Sequence, residues 1–483
     1  MAVTSSKRSY EAALEFLFGR INYEQTSPVP YSSRTFKLSR MRCLLAELGS
    51  PHEDLPAVHI AGTKGKGSTA AMIAQVLTRA GHRTGFYSSP HLQNIEERLA
   101  VDGVAATQEQ LIDLVAQVAP VVAKRDRLSE PSERATAQAD DFATPEGRLT
   151  YFEIVTAMAL LHFRRCQVDA AVLEVGMGGR LDSTNVCYPA VSVITSISLD
   201  HVQQLGGTIA LIAREKAGII KPGIPVVSGI RSGPAAEVIA QVAQQRKSPL
   251  IQLGRDFDYT YRPPRALQHE ESRGRLDVWV GSQTGPGRHD DLELALLGPH
   301  QAANAAVAVA TLEQLRDRGW TMPPEAIREG LARVTCPARC EVVSRRPIVV
   351  IDAAHNVASA EALVETLGKS FQARRRVLIF ATTEDKDAQG MLRVLQGGFD
   401  EIILTRYTTN PRGLALSELA RLVDAPAVRV VETPAQAWDI ASRLASPEDL
   451  ICVTGSFYIA GELRQRIAAS SDSATAELAA PRV

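Results

Sequence analysis

Short runs of β-branched and aliphatic residues, bounded by Gly, Pro or Asp, alternate along this chain with longer Ala-, Leu-, Arg- and Glu-rich stretches of helical period. That alternation predicts βαβ units, because a strand covered on both faces is apolar throughout while its connecting helix is apolar on one stripe. Strands are expected at residues 58–61, 170–175, 191–197 and 225–227. A second series is expected at 348–351, 377–380, 402–404, 428–431 and 450–453. The economical reading is two α/β domains in tandem. Over residues 257–280, Tyr, Val and Trp alternate with polar residues and no helical stretch intervenes, which predicts an antiparallel hairpin appended to the first sheet.

Residues 124–148 are rich in Ser, Glu, Asp, Arg, Thr and Pro with almost no apolar periodicity, so a mobile surface insertion is expected there. The tail after about residue 468 has the same character and is expected to be disordered. No internal repeat of 20 to 50 residues is visible.

Composition narrows the function classes. The 483 residues carry 53 Lys+Arg and 54 Asp+Glu, 53 − 54 = −1, which argues against a nucleic-acid binder or a basic membrane-surface protein. With 45% hydrophobic and 22% charged residues, disorder as a whole-chain description is excluded. Among six scattered cysteines the one close pair, Cys336 and Cys340, lacks the second pair that a tetrahedral zinc site needs. The first twenty residues hold no uninterrupted apolar stretch of the signal-peptide kind, and no later segment offers eighteen apolar residues in a row. A cytoplasmic protein with reduced thiols and no membrane partner is expected.

The first chemistry appears at the end of the first strand, where Gly62, Gly65 and Gly67 surround Lys66 and lead through Ser68 and Thr69 into an amphipathic helix. Glycines let the backbone curl so that successive N–H groups face an anion. The helix N-terminus adds positive partial charge, and Lys66 can reach the outer phosphates. The spacing is a compressed variant of G-x-x-x-x-G-K-[ST], with Gly67 between lysine and hydroxyl. Such a turn alone can merely cap a helix. Strand, glycine-lysine turn and helix in immediate succession read as a nucleotide-phosphate loop.

Nucleotide phosphates require magnesium, which takes hard oxygen ligands. Glu174 ends the 170–175 strand, where open α/β sheets bind their ligands, and is the first ligand candidate; a strand-end salt bridge is the plainer alternative. It is followed by Val-Gly-Met-Gly-Gly-Arg180-Leu-Asp182-Ser-Thr-Asn185, a glycine turn with polar groups. The next strand ends in Ser198-Leu199-Asp200-His201, placing His201 toward the same crevice.

Together these stretches resemble the ATP-dependent amide ligases that include the cell-wall muramyl ligases, and within them the dihydrofolate synthase/folylpolyglutamate synthase family. The matching segments are GTKGKGST from Gly62, YSSPHL from Tyr87, TYFE from Thr150 and EVGMGGRLDSTN from Glu174. They continue with LDH from Leu199, EKAGIIKPG from Glu215, HQAANAA from His300, DAAHN from Asp352 and VTGSFY from Val453. They fall in family order from about residue 36 to 464.

The resemblance implies a phosphate-loop, Mur-ligase-type central domain over residues 1–335 and a smaller Rossmann-like glutamate-ligase domain over 336–467, followed by a disordered tail at 468–483. It implies that Thr63, Lys64, Gly65, Lys66, Gly67 and Ser68, with Asn304, Arg339 and Asp352, hold ATP. Magnesium would be held by Ser89, Glu174 and His201. Lys216 matches a lysine that the family carbamylates, turning an ammonium into an anion able to bind a second magnesium; a helix-surface lysine is the alternative. Pteroate contacts would fall on Phe36, Thr150, Tyr151, Phe152, Glu153, Leu181, Asp182 and Ser183, since aromatic rings beside a carboxylate suit a flat heterocycle with N–H donors. Tyr151 and Phe152 can equally be core residues. The second domain would close on the first and bring His355 and Ser456 toward glutamate and the acyl phosphate.

Four positions depart from the family pattern: Lys64 replaces Asn, Ala338 and Ala354 replace Gly, and Val357 replaces Pro. The expected activity is ATP- and magnesium-dependent addition of L-glutamate to dihydropteroate or to reduced folates, through an acyl phosphate, by a monomer. The rivals are another ligase of the superfamily acting on a UDP-sugar peptide, and a phosphate-loop nucleotide switch.

Overall fold

The computed structural model describes residues 2–24, 36–129, 148–199, 202–267, 272–281, 287–423 and 427–467. The chain forms two compact units. One comprises Met1–Tyr259, Val278–His289 and Ala303–Leu331, and the other Thr260–Asp277, Asp290–Ala302 and the chain from Ala332 onward. The second unit thus starts four residues before the expected 336 and also takes in 260–277 and 290–302.

The first unit is built on eight strands: β1 Ala57–Ala61, β2 Thr84–Tyr87, β3 Leu99–Val101, β4 Val104–Ala105, β5 Ala170–Glu174, β6 Val191–Ile194, β7 Val226–Ser228 and β8 Leu250–Gln252. Their order is β4-β3-β2-β5-β1-β6-β7-β8. The six from β2 to β8 are parallel, and β3 and β4 add an antiparallel edge. β1 and β5 are buried along their whole length, which is why they read as unbroken apolar runs. Register places Ile60 beside Glu174 and Ala61 beside Ile194, so these strands end side by side.

Three strands, β9 Phe257–Arg262, β10 Gly274–Val280 and β11 Arg288–Leu294, form a sheet of their own in the order β11-β10-β9. This corrects the expected hairpin appended to the first sheet. β11 was hidden because Asp291 takes a left-handed φ of 52°, which breaks the alternation of buried His289, Leu292 and Leu294.

The second unit holds β12 Glu341–Arg345, β13 Ile348–Ile351, β14 Arg376–Phe380, β15 Glu401–Leu404, β16 Val428–Val430 and β17 Leu450–Thr454, in the order β12-β13-β17-β14-β15-β16. All pairs are parallel except β12 with β13. Leu363, Leu367, Phe380, Met391, Leu392 and Leu404 pack its core.

The expected mobile insertion begins too early at residue 124. The helix Gln108–Ser129 carries on through that point, because Asp126 pairs with Arg20 at 2.5 Å and Arg125 with Glu47 at 2.6 Å. Residues 130–147 and the tail from 468 lie outside the described residues. Among the described residues no helix is long and apolar enough to cross a membrane.

Candidate functional site

The carboxyl ends of β2, β5, β1 and β6 are neighbours in the sheet, and each supplies one part of a site. From β1 the chain turns through Gly62–Gly65 into the helix Lys66–Arg79, with Gly65 at φ 81° as its N-cap. The turn is moored to the end of β6: Thr63 N–H donates to the Ser196 carbonyl at 2.7 Å and Lys64 N–H to Ser196 Oγ at 3.0 Å. The Thr195 hydroxyl donates to the Lys64 carbonyl at 2.6 Å. A Cβ on Gly62 would stand 1.9 Å from Thr195 Oγ1, and one on Gly65 2.1 Å from Asn304 Oδ1. Gly62 lies too close to the Thr195 side chain to carry a Cβ without a shift, Gly65 needs glycine for its left-handed φ, and Asn304 lies directly against the loop. Lys66 is half-buried at the first helical position, while Ser68 and Thr69 are buried. The first-turn N–H groups of such a helix have no intrahelical acceptor and favour an anion.

Glu174 is buried beside this turn, its carboxylate oxygens 3.4 and 3.6 Å from where a Gly67 Cβ would lie. The Ser89 N–H donates to Glu174 Oε2 at 3.3 Å, so two of the three expected magnesium ligands are adjacent. The third, His201, lies outside the described residues. The Ser89 hydroxyl and the Glu174 carboxylate are hard oxygen donors next to a phosphate-binding turn, and they fit an ion that takes one or two protein oxygens plus phosphate and water. Among the described residues no three His, Cys, Asp or Glu side chains gather to cage a metal on their own.

Lys216, in the helix Ile209–Ala217, is buried and donates from Nζ to the Gly62 carbonyl at 2.8 Å. The helix-surface alternative is thereby set aside.

The segment carrying Ser89 is held by residues that the sequence did not single out. The Glu97 carboxylate accepts the N–H groups of Leu92, Gln93 and Asn94 at 2.8, 3.0 and 2.8 Å. Arg98, 1% exposed, forms a two-pronged pair with Glu24 at 2.8 and 2.7 Å, and its Nε donates to His91 Nδ1 at 2.9 Å. Burial and the Arg98 charge push the His91 pKa down to about 4, so its imidazole is the neutral acceptor this bond requires. Burial opposes the ionised guanidinium, and Glu24 more than compensates, raising the Arg98 pKa. The signal in the sequence was an Asn-Ile-Glu-Glu turn just before a strand, which is local and easily passed over.

The expected acceptor contacts divide. Thr150 and Glu153 form a capping box on the helix Tyr151–Arg165: Glu153 N–H donates to Thr150 Oγ1 at 3.2 Å, and Thr150 N–H to Glu153 Oε2 at 2.8 Å. Glu153 Oε1 accepts from Arg40 Nε at 2.9 Å, so both carboxylate oxygens are engaged within the chain. Tyr151 is buried, with Phe18 stacked at 5.8 Å and the Arg98 guanidinium 5.4 Å from its ring centre. Phe152 is half-buried and lies over Gly176, where a Cβ would meet its ring at 2.5 Å. Phe36 and Leu181 meet Met177 and Ile197 around Leu205 and Ile212 in one apolar cluster.

Asp182 is buried and takes N–H groups from Gly176 and Met177 at 3.1 Å each, and from Thr184 at 3.0 Å, which shapes the glycine turn after Glu174. Burial raises its pKa against the pull of these donors. Ser183 is buried at the start of the short helix that follows.

In the second unit, β13 and β17 are neighbours; Asp352 and His355 follow the carboxyl end of β13, Ser456 follows that of β17, and Arg339 precedes β12. Asp352 accepts the N–H groups of Cys340 and Ala354 at 2.7 Å each; burial raises its pKa, opposed by Arg339. Arg339 lies over the Phe457 ring at 4.8 Å, and the His355 ring lies 6.1 Å from the same ring. His355 Nδ1 donates to the Ala353 carbonyl at 2.9 Å. Ser456 is buried and its Oγ accepts the Ile459 N–H at 3.3 Å. Phe457, which ties Arg339 to His355, sat within VTGSFY but was not picked out. Ala338 has φ 56°, the left-handed region where the family's glycine fits without strain.

Comparison with known proteins shows the family. The chain matches the Mur ligase middle domain over residues 132–312 and the Mur ligase glutamate ligase domain over 338–457. It is 35% identical over 452 residues to the folylpolyglutamate synthase of Lacticaseibacillus casei, covering 92% of this chain and 99% of that one. Among solved structures it is similar to the Mycobacterium tuberculosis folylpolyglutamate synthase complexed with ADP, at TM-score 0.83 and 34% identity, covering 96% and 99% of the two chains. An Escherichia coli structure in complex with DHPP and ADP superimposes at TM-score 0.78 and 30% identity, covering 96% and 98%.

Proposed function

The chain belongs to the dihydrofolate synthase/folylpolyglutamate synthase family of Mur ligases, and from that premise we propose that it joins L-glutamate to dihydropteroate or to reduced folates at the cost of ATP. It is an ATP-dependent ligase. The observation that carries the finer reading is the convergence of the Gly62–Gly65 turn, Glu174, Ser89 and Lys216 at the ends of adjacent parallel strands, next to the Phe152–Gly176 contact and the Phe36–Leu181 cluster.

A carboxylate is unreactive toward amines at neutral pH. One acceptor carboxylate oxygen therefore attacks the γ-phosphorus, ADP leaves, and the glutamate amine displaces phosphate from the acyl phosphate. In this reading Thr63, Lys64, Gly65, Gly67 and Ser68 cradle the phosphates, with Asn304 packed on the turn, and Lys66 neutralises charge on the transferred group. Preorganised donors of this kind supply most of the catalysis in phosphoryl transfer. Ser89, Glu174 and His201 would hold magnesium, which supplies charge neutralisation at the phosphates when bound.

Lys216 fixes the Gly62 carbonyl as an ammonium, or as a carbamate would add a further anionic oxygen pair. The flat ring of the acceptor lies along Phe152, with Phe36 and Leu181 as apolar walls. Thr150, Tyr151 and Glu153 set the position of Phe152 from the first turn of its helix, and Asp182 and Ser183 set the glycine turn. In the second unit Arg339 and Asp352 serve the nucleotide, and His355 and Ser456 serve glutamate. Catalysis by a cytoplasmic monomer completes the reading. A phosphate-release assay tests it, with dihydropteroate, tetrahydrofolate and a UDP-muramyl peptide each offered with and without L-glutamate. Release only with a folate-type acceptor supports the reading; preference for the muramyl peptide overturns it.

A further inference from the structure

β1 delivers the phosphate loop with the pattern Ala-Val-His-Ile-Ala, five buried residues of which His59 is the polar one. A fully buried imidazole in an apolar strand is unfavourable unless its N–H finds an acceptor. His59 Nε2 lies 2.8 Å from Thr184 Oγ1, and Thr184 Oγ1 lies 2.5 Å from Asp182 Oδ1.

Chemistry fixes the direction of this chain. The backbone N–H groups of Gly176, Met177 and Thr184 and the Thr184 hydroxyl all reach Asp182, whose oxygens act as acceptors in all four contacts. The single hydroxyl proton of Thr184 therefore points at Asp182. Its oxygen can only accept, so His59 is the donor, neutral and protonated on Nε2. Burial and the nearby Lys221 charge agree with this, lowering the His59 pKa to about 3.

We propose that His59 is a positioning residue for the acceptor: through Thr184 it orients Asp182, and through Asp182 it holds the Gly176–Met177 turn in register with the strand that carries the phosphate loop. That turn presents Gly176 to Phe152 and sends Met177 into the cluster with Phe36 and Leu181. His59 is fully buried, so it acts on the acceptor only through these partners. Its effect is to keep the acceptor walls fixed relative to the phosphate that the acceptor attacks. The proposal rests on reading this turn as part of the acceptor subsite.

The test compares His59→Leu, His59→Gln and His59→Asn, with KM and kcat measured separately for ATP and for a reduced folate. A glutamine amide nitrogen reaches the Nε2 position, whereas the asparagine amide is one bond too short. His59→Leu and His59→Asn should raise the acceptor KM about tenfold, the scale of one buried hydrogen bond, with the ATP KM changed less than about twofold. His59→Gln should recover most of the loss, and His59→Leu should add nothing in a Thr184→Val background.

Equal rises in both KM values, no rescue by glutamine, or additive loss with Thr184→Val would overturn it. If His59→Leu does not fold, the contrast between glutamine and asparagine decides. Asp182→Ala separates the two readings. If it leaves the acceptor KM of an active enzyme unchanged, the subsite reading fails; if it raises that KM while His59→Leu does not, the role of His59 alone fails.

Discussion

Lys216 Nζ donates to the Gly62 carbonyl at 2.8 Å across 154 residues of sequence, tying the last turn of a helix to the first residue of the phosphate loop. Carbamate formation would need the neutral amine of this lysine. Lys216→Ala is expected to lower turnover at least about a hundredfold, far beyond the ~1 kcal/mol loss of an exposed ion pair. Partial recovery with formate or acetate marks the carbamate; recovery with neither while Lys216→Arg stays active marks the ammonium. Full activity of the alanine variant removes Lys216 from the site.

Glu174 and Ser89 are expected to act together on magnesium. Glu174→Gln keeps the Ser89 N–H acceptor but removes the charge, so the magnesium concentration for half-maximal activity should rise about tenfold or more with little change in thermal stability. An unchanged magnesium requirement contradicts the assignment.

Ala338 holds φ 56°, a conformation costing a non-glycine residue roughly 1–2 kcal/mol. Ala338→Gly regains part of that and gives part back through the freer unfolded chain, for an expected gain of about 0.5–1 kcal/mol, read as a higher denaturation midpoint. Val357 opens the helix Val357–Ser370 directly after its N-cap Asn356, the position where proline is favoured. Val357→Pro should therefore be tolerated.

The motif residues were legible because their information is local: a strand, a glycine turn and a helix follow one another in ten residues, and Glu174 announces itself at a strand end. Capping was legible too, since Thr150-Tyr-Phe-Glu153 is a Ser/Thr-x-x-Glu pattern, although resemblance pointed those residues at the acceptor instead. What spacing could not show are partnerships across the sheet, such as Lys216 with Gly62, Arg98 with Glu24 and His59 with Thr184. Each joins residues more than seventy positions apart, and only folding brings their polar atoms together. The hydrophobic pattern does not mark β2, β3, β4, β8 and β12, which are two to five residues long, and β4, β8 and β12 lie at sheet edges.

Asp182 makes a pH prediction. Its folded pKa is raised above the ordinary 3.8, so its contribution to stability is fully present below that value and is lost as pH rises through the folded pKa. The stability of the parent protein relative to Asp182→Asn should therefore fall as pH is raised from below 3.8 through the higher folded value. A difference that grows more favourable with pH over that window would mean the carboxylate is stabilised by its four donors beyond the burial cost.

In the proposed reaction the acceptor carboxylate is phosphorylated before the glutamate amine attacks it. Incubating the enzyme with ATP, L-glutamate and a folate acceptor whose reacting carboxylate carries oxygen-18 tests this directly by mass spectrometry. One labelled oxygen should appear in inorganic phosphate for each glutamyl amide formed, and none without the acceptor. Phosphate released without label, or released equally in the absence of any acceptor, would contradict it.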